Sequence, residues 1–92
     1  MAIGIYFAAP SFSVEQYDTT LAQLEEAGAG APEGRLYHCA FMAGPTGIHV
    51  FDVWESQETF DAFGQTLMPI LTDAGVDVGT PMITPVHNTI LG

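Results

Sequence analysis

His38 and Asp52 are the two residues in this chain whose types and spacing best suit proton transfer. They lie in two runs of alternating apolar and polar residues, on either side of a turn at 44–46. If these runs form a hairpin with that three-residue loop, Ala43 pairs with Gly47 and His38 lies directly opposite Asp52. A carboxylate beside an imidazole fixes the tautomer of the ring and makes it a better general base near neutral pH.

Such a pair could remove a proton from an acidic phenol or from a carbon next to a carbonyl group. Tyr6 could donate its hydroxyl to an oxyanion, and Trp54 could stack on a planar ligand. The same residues could also serve the structure alone, with His38 and Asp52 as a hydrogen-bonded pair in a half-buried sheet and Trp54 as a packing residue. The residue types leave both interpretations open.

Other kinds of site find less support. We predict no metal site, because strand alternation separates His49 from Asp52 and no pair of metal ligands has close helical spacing. Cys39 shares no face with a base, so we expect an inert, reduced thiol. The glycines of 29–34 follow a helix and do not open one, unlike those of phosphate-binding loops.

Composition bounds the class of protein. The chain has 92 residues, of which 48% are hydrophobic and 13% charged, so we expect a single domain, 1–92, with a marginal core that favours self-association. Eleven Asp and Glu stand against one Arg, which disfavours nucleic acid and anionic membranes as partners. No apolar run approaches the ~20 residues of a membrane helix, and the N-terminus lacks a basic region typical of a signal peptide, so we expect a cytoplasmic protein.

Periodicity predicts the element order βαββαβ. The predicted strands span 2–9, 35–43, 47–55 and 80–90. Ser13 should cap a first helix that ends near Gly28, with an apolar packing stripe of Val14, Tyr17, Leu21 and Leu24. Ser56 should cap a second helix, in which Pro69 predicts a kink or break at 66–68. Proline in the last strand indicates an edge or a bulge.

This order predicts an α+β, ferredoxin-like fold, in which two helices cover one face of a four-stranded antiparallel sheet. Alternation divides each strand into two faces, and we expect the more apolar one to meet the helices. That face would comprise Ile3, Ile5, Phe7, Tyr37, Cys39, Phe41, Phe51 and Val53. The other would carry Tyr6, His38, Asp52 and Trp54, with Leu36 opposite Trp54. It is still too apolar for water, so a ligand or a second copy should cover it.

The chain resembles the dimeric α/β-barrel superfamily, in particular its small antibiotic-biosynthesis-monooxygenase-like domains. The resemblance is carried by the element order and by the run Asp-Val-Trp-Glu-Ser at 52–56, followed by Glu58, Phe60 and Phe63. The closing run Pro-Val-His-Asn at 85–88 is similar to the ends of many members. The resemblance implies a homodimer whose two sheets pack face to face into a barrel, with the ligand in its lumen and no bound cofactor.

Individual residues carry over only in part. Trp54 matches the Trp of the quinone-forming monooxygenases, but the Asn four residues earlier and the Tyr six later are Val50 and Phe60 here. Haem-degrading relatives have a second Trp about where Phe63 stands and a His near the end of the second helix, which this chain lacks. Oxygenation therefore stays open beside proton-transfer chemistry such as cyclisation or isomerisation.

We therefore predict a homodimeric, cofactor-independent enzyme acting on a small aromatic or polyketide-like molecule in the lumen. His38 would be the base, Asp52 would orient it, and Tyr6 would donate a hydrogen bond. The predicted ligand contacts are Trp54, Leu36, Met42, Val50, His87 and Asn88. At most one of the last two should face the lumen, because neighbouring strand residues alternate. The alternative is a non-catalytic ligand-binding or dimerisation module, for which an apolar lumen suffices.

Overall fold

The sheet and helices follow the predicted order. The computed structural model describes residues 1–9, 11–44, 47–77 and 79–92. The elements are β1 (Ile3–Phe7), α1 (Val14–Glu26), β2 (Arg35–Met42), β3 (Ile48–Trp54), α2 (Gln57–Asp73) and β4 (Met82–Pro85). The strands form one antiparallel sheet in the order β2-β3-β1-β4, which confirms the ferredoxin-like fold.

Both helices begin at the predicted caps. The Ser13 hydroxyl accepts a hydrogen bond from the Gln16 N–H at 3.0 Å, and the Gln16 side chain accepts one from the Ser13 N–H, which completes a capping box. The Ser56 hydroxyl accepts from the Thr59 N–H at 3.2 Å. Two of the four N–H groups left without helical partners at the start of each helix are the natural targets of such caps.

The predicted break in the second helix is wrong, because α2 continues through Pro69. A proline inside a helix costs about 3 kcal/mol through its missing N–H and its clash with the preceding turn. The turn that follows contains Leu71, which is buried in the core, and Ile70, which is partly buried. Burial of a Leu or Ile side chain contributes about 1.5–3 kcal/mol, enough to offset that cost.

The last strand is shorter than predicted. β4 ends at Pro85 and lies at the edge of the sheet, in agreement with the predicted edge position. The next residue, Val86, still donates its N–H to the Ala2 carbonyl at 3.0 Å, but 87–92 is not a strand. Pro10, predicted to end the first strand, and 45–46 of the predicted turn lie outside the described residues.

The hairpin has the predicted register over most of its length. Ala43 donates its N–H to the Gly47 carbonyl at 2.7 Å, and His38 pairs with Asp52. The register shifts near the start of β2, where Arg35 and not Leu36 pairs with Trp54. The expected pairing of Leu36 with Trp54 is therefore wrong, since an irregularity in β2 takes Leu36 out of register.

The assignment of faces is right for β1 and wrong for β2 and β3. Ile5 of β1 pairs with Asp52 of β3, and paired residues point to the same side of a sheet. Ile5 is fully buried in a cluster with Leu24 of α1 and Phe63 of α2, so its side faces the helices. His38, Asp52 and Trp54 therefore lie beneath the helices. The opposite, open face of the sheet carries Tyr6, Tyr37, Phe41, His49, Phe51 and Val53.

Candidate functional site

Four side chains form a continuous hydrogen-bonded chain between the sheet and α1. The Tyr17 hydroxyl lies 2.7 Å from His38 Nε2, and His38 Nδ1 lies 2.6 Å from Asp52 Oδ1. The Trp54 indole N–H donates to Asp52 Oδ2 at 3.3 Å. The hairpin register brings His38 and Asp52 together, and strand alternation places Trp54 on the same side two residues later.

The chain of hydrogen bonds fixes the tautomer of His38. Asp52 is only 4% exposed, and both of its carboxylate oxygens have a partner. An ionised carboxylate can only accept, so His38 Nδ1 carries a proton and donates it to Asp52. In the neutral ring, Nε2 is then left as an acceptor for the Tyr17 O–H. Two donors around one carboxylate also compensate for the burial of its charge.

Tyr17 is the member of this hydrogen-bonded chain that the sequence did not reveal. Burial, and secondarily the charge of Asp52, raises the pKa of its hydroxyl above the usual value of 10.0, so the group stays protonated at neutral pH. Its ring stacks on His38, with centroids 6.1 Å apart and planes at 10°. In the sequence Tyr17 is one member of an apolar stripe, and its hydroxyl group was the only sign that it could also make a polar contact.

His38 and Asp52 line a cavity of about 60 Å³ between the sheet and the helices. Most of its remaining lining is apolar and comes from β1, α1 and α2, including Phe7, Leu24, Phe63 and Leu71. A cleft of about 400 Å³ lies beside it at the surface, along α1 and the start of β2. Arg35 and His38 line both spaces, so the His38 imidazole lies where the cavity meets the cleft.

Two of the predicted ligand contacts are buried on this side of the sheet. Val50 is 7% exposed and lines the cavity with His38. Trp54 is fully buried, and its ring packs on Phe60 and Phe63 with centroids 5.5 and 5.2 Å away. In this conformation the indole supports Asp52 and the core beneath the cavity, and no face of it is open to a ligand.

Other predicted site residues lie elsewhere. Tyr6 is on the open face, where its hydroxyl lies 2.7 Å from His49 Nδ1 and its ring stacks on Phe41. Leu36 is exposed, and Met42, which pairs with Ile48 on the helix side of the sheet, is exposed at the end of β2. Asn88 lines a groove on the open face, formed with Tyr37, Phe51, Val53, Val86 and 89–92. His87 is exposed, and only Asn88 of that pair lines the groove.

Two further findings concern site types. Among the described residues, no group of three or more His, Cys, Asp and Glu side chains is arranged to hold a metal ion. Cys39 lies on the open side of β2, and a hydrogen bond to its thiol raises the pKa of the Tyr37 hydroxyl. No helix within the described ranges combines the length and apolar character needed to cross a bilayer.

Solved structures share this fold, whereas no protein-family model and no curated protein sequence matches the chain. Protein YJCS superimposes with a TM-score of 0.68 at 17% identity, over 95% of this chain and 100% of that one. A protein of Chloroflexus aurantiacus, provisionally named an antibiotic biosynthesis monooxygenase, gives 0.67 at 21% identity over 100% of both chains. SnoaB, a cofactor-independent oxygenase of Streptomyces nogalater, gives 0.61 at 13% identity over 97% of this chain and 94% of that one.

At these identities the matches establish the fold and leave the activity open. The resemblance to antibiotic-biosynthesis-monooxygenase-like domains is thus confirmed for the ferredoxin-like architecture. The chain covers nearly the full length of these structures, so the likeness extends over the whole domain.

Proposed function

We propose that this chain is a cofactor-independent enzyme that removes a proton from a small aromatic or polyketide-like molecule. His38 is the base, Asp52 orients it, and Tyr17 is its hydrogen-bonding partner. The observation that carries the proposal is the chain of hydrogen bonds from Tyr17 through His38 to Asp52 and Trp54, at the wall of an apolar cavity. A purely apolar core would not need such a chain, because buried polar groups cost free energy unless they are paired.

The proton transfer follows from the tautomer. A substrate with an acidic O–H or C–H group takes the place of the Tyr17 hydroxyl at His38 Nε2 and gives its proton to that nitrogen. Asp52 then stabilises the imidazolium through Nδ1. The Tyr17 O–H, released from Nε2, donates to the oxygen on which negative charge develops. Its raised pKa suits this role, since a protonated phenol is needed as a donor.

The proposed location lies between the sheet and α1, and not on the open face predicted from sequence. An apolar cavity of about 150 Å³ is known to hold benzene, so the cavity of about 60 Å³ is too small for an aromatic ring. The adjoining cleft of about 400 Å³ has room for one. The ligand therefore binds in the cleft, and α1 moves outward as the apolar part of the ligand enters the cavity.

Hydrogen exchange tests the role of His38 whatever reaction follows. In heavy water, the acidic C–H of an aromatic β-diketone should exchange for deuterium faster when the protein is present. Proton NMR follows this exchange as the loss of the C–H signal. Because general-base catalysis contributes about 10²–10⁴-fold, His38→Gln and Asp52→Asn should lose at least a hundredfold of this rate. Asp61→Asn, an exposed carboxylate on α2, is the control and should retain it. Full exchange by His38→Gln would favour the non-catalytic binding module.

Oxygen consumption separates the two reaction classes. The fold shared with SnoaB, itself a cofactor-independent oxygenase, supports oxygenation of the deprotonated substrate. Cyclisation or isomerisation would use the same base and would consume no oxygen. An oxygen electrode run beside the exchange assay distinguishes them.

We also propose that the protein is a homodimer that buries the open face of the sheet. That face exposes large apolar side chains, namely Tyr37, Phe41, Phe51 and Met82. A contiguous apolar patch of this kind marks an association surface. Light scattering should show a dimer for the wild type and for Gln65→Glu, and a monomer for Phe51→Asp, which introduces a charge into the patch. A monomeric wild type would contradict the proposal.

A further inference from the structure

Arg35 is the only Lys or Arg in a chain with eleven Asp and Glu and a net charge of −10. It stands at the start of β2, paired with Trp54, so its side chain projects toward the helices. It lines both the inner cavity and the outer cleft, as His38 does. The single strong cation of this protein is therefore located beside the proposed base.

Most N–H groups of the Arg35 guanidinium remain available to a ligand. Its Nη2 donates to the Gly30 carbonyl at 3.1 Å, which uses one of its five N–H groups. Glu25 lines the same cleft, yet within the described ranges no carboxylate lies at ion-pair distance from Arg35. The positive charge is thus half-buried without a directly bound counter-ion, although acidic residues abound on the surface.

Deprotonation of a substrate at this site creates a negative charge that Arg35 can stabilise. Asp52 already carries one negative charge in the wall, so a second one on the substrate is opposed by repulsion. A guanidinium offsets it with paired N–H donors whose geometry matches a carboxylate, and a single N–H can donate to the oxygen of an enolate. The field of Arg35 reaches the site, because it lowers the pKa of Tyr17 against the larger raising effects of burial and Asp52.

We propose that Arg35 is the anion-recognising residue of this site, and that the substrate carries, or gains on deprotonation, an anionic oxygen bound between Arg35 and His38. The inference rests on the proposed function, since it names the chemical class of the molecule on which His38 acts. It separates acids and enolisable carbonyl compounds from neutral apolar molecules, which the remaining lining would otherwise accept.

Two probes of equal shape test this proposal. β-Naphthoate and β-naphthamide share the ring and differ in charge and in one terminal group, an acceptor oxygen in the first and an NH₂ donor in the second. Their affinities can be measured by NMR titration of the imidazole of His38. The wild type should bind the naphthoate about tenfold more tightly, as expected for a charge-assisted hydrogen bond. Arg35→Gln should abolish this preference while leaving the naphthamide affinity unchanged. Arg35→Lys should retain part of it, because the charge remains without the planar fork.

Gln65→Glu is the matched control, because it gives the same net charge as Arg35→Gln at an exposed position on α2 and should keep the full preference. Salt offers a readout that needs no variant, since added salt should weaken binding of the naphthoate alone. Equal wild-type affinities for both probes, with His38 perturbed by each, would overturn the role of Arg35 and leave the proposed function standing. Probes that perturb neither His38 nor Tyr17 would overturn the proposed function itself.

Discussion

Replacing Asp52 by Asn should change both the stability of the protein and the position of a proton on His38. Asp52 accepts from His38 Nδ1 at 2.6 Å and from the Trp54 indole N–H at 3.3 Å. An Asn of the same shape has one acceptor oxygen and one NH₂ group, so it can accept from only one of these two neighbours.

Each orientation of the new amide has a definite consequence. With its oxygen toward Trp54, the NH₂ donates to His38 Nδ1, and the imidazole proton must move to Nε2, where it faces the Tyr17 oxygen. With its oxygen toward His38, the NH₂ meets the indole N–H and leaves a buried donor unpaired. Loss of a charge-assisted hydrogen bond or of a buried partner costs about 1.5–3 kcal/mol.

We therefore expect Asp52→Asn to lose about 2 kcal/mol of unfolding free energy and roughly 8–16 °C in melting temperature, given the slope expected for a domain of this size. Thermal unfolding followed by circular dichroism measures the loss, and NMR of the imidazole nitrogens reports which one is protonated. Asp61→Asn, an exposed control, should stay within about 0.5 kcal/mol of the wild type. An Asp52→Asn variant of wild-type stability, still protonated at Nδ1, would refute the assigned network.

Two further predictions concern single residues. The pKa of Tyr17 is raised in the folded state, so above about pH 10 the folded protein still holds the hydroxyl proton that the unfolded chain has lost. The stability that this difference contributes is complete below about pH 10 and is lost as pH rises through the folded-state pKa. The difference in phenolate absorbance between wild type and Tyr17→Phe should have its midpoint above pH 10, and a midpoint at or below that value would count against the burial of this hydroxyl. Gly44 and Gly47 both have positive φ, at 67° and 91°, but only at Gly47 would a Cβ collide with the Phe12 carbonyl, which accepts from the Ile48 N–H at 2.7 Å. In urea unfolding, Gly44→Ala should therefore cost about 1–2 kcal/mol and Gly47→Ala distinctly more, and equal losses would contradict the close approach.

Local signals in the sequence were sufficient for the helix caps and for the centre of the hairpin. Ser13 and Ser56 are side chains that satisfy N–H groups at a helix start, and a three-residue loop fixes the pairing of His38 with Asp52. These features depend on residues close together in the chain. The continuity of α2 through Pro69 depends instead on core contacts made after it, which local propensity does not contain.

The faces of the sheet could not be assigned strand by strand. Apolar counts favoured the side of Phe51 and Val53 in β3, yet the pairing of Ile5 with Asp52 places the opposite side under the helices. Polar residues can lie there because they satisfy one another. Tyr17 of α1 supplies one of these hydrogen bonds, and the sequence gives no indication of which strand that helix covers.

A crystal structure of the protein grown with β-naphthoate tests the central claim most directly. The account predicts the naphthalene ring between α1 and β2, with its carboxylate accepting from Arg35 and from a His38 imidazolium, as after proton transfer, and with the Tyr17 hydroxyl displaced from Nε2. A ring found only on the open face, against Tyr37 and Phe51, with the hydrogen bond from Tyr17 to His38 intact, would contradict it.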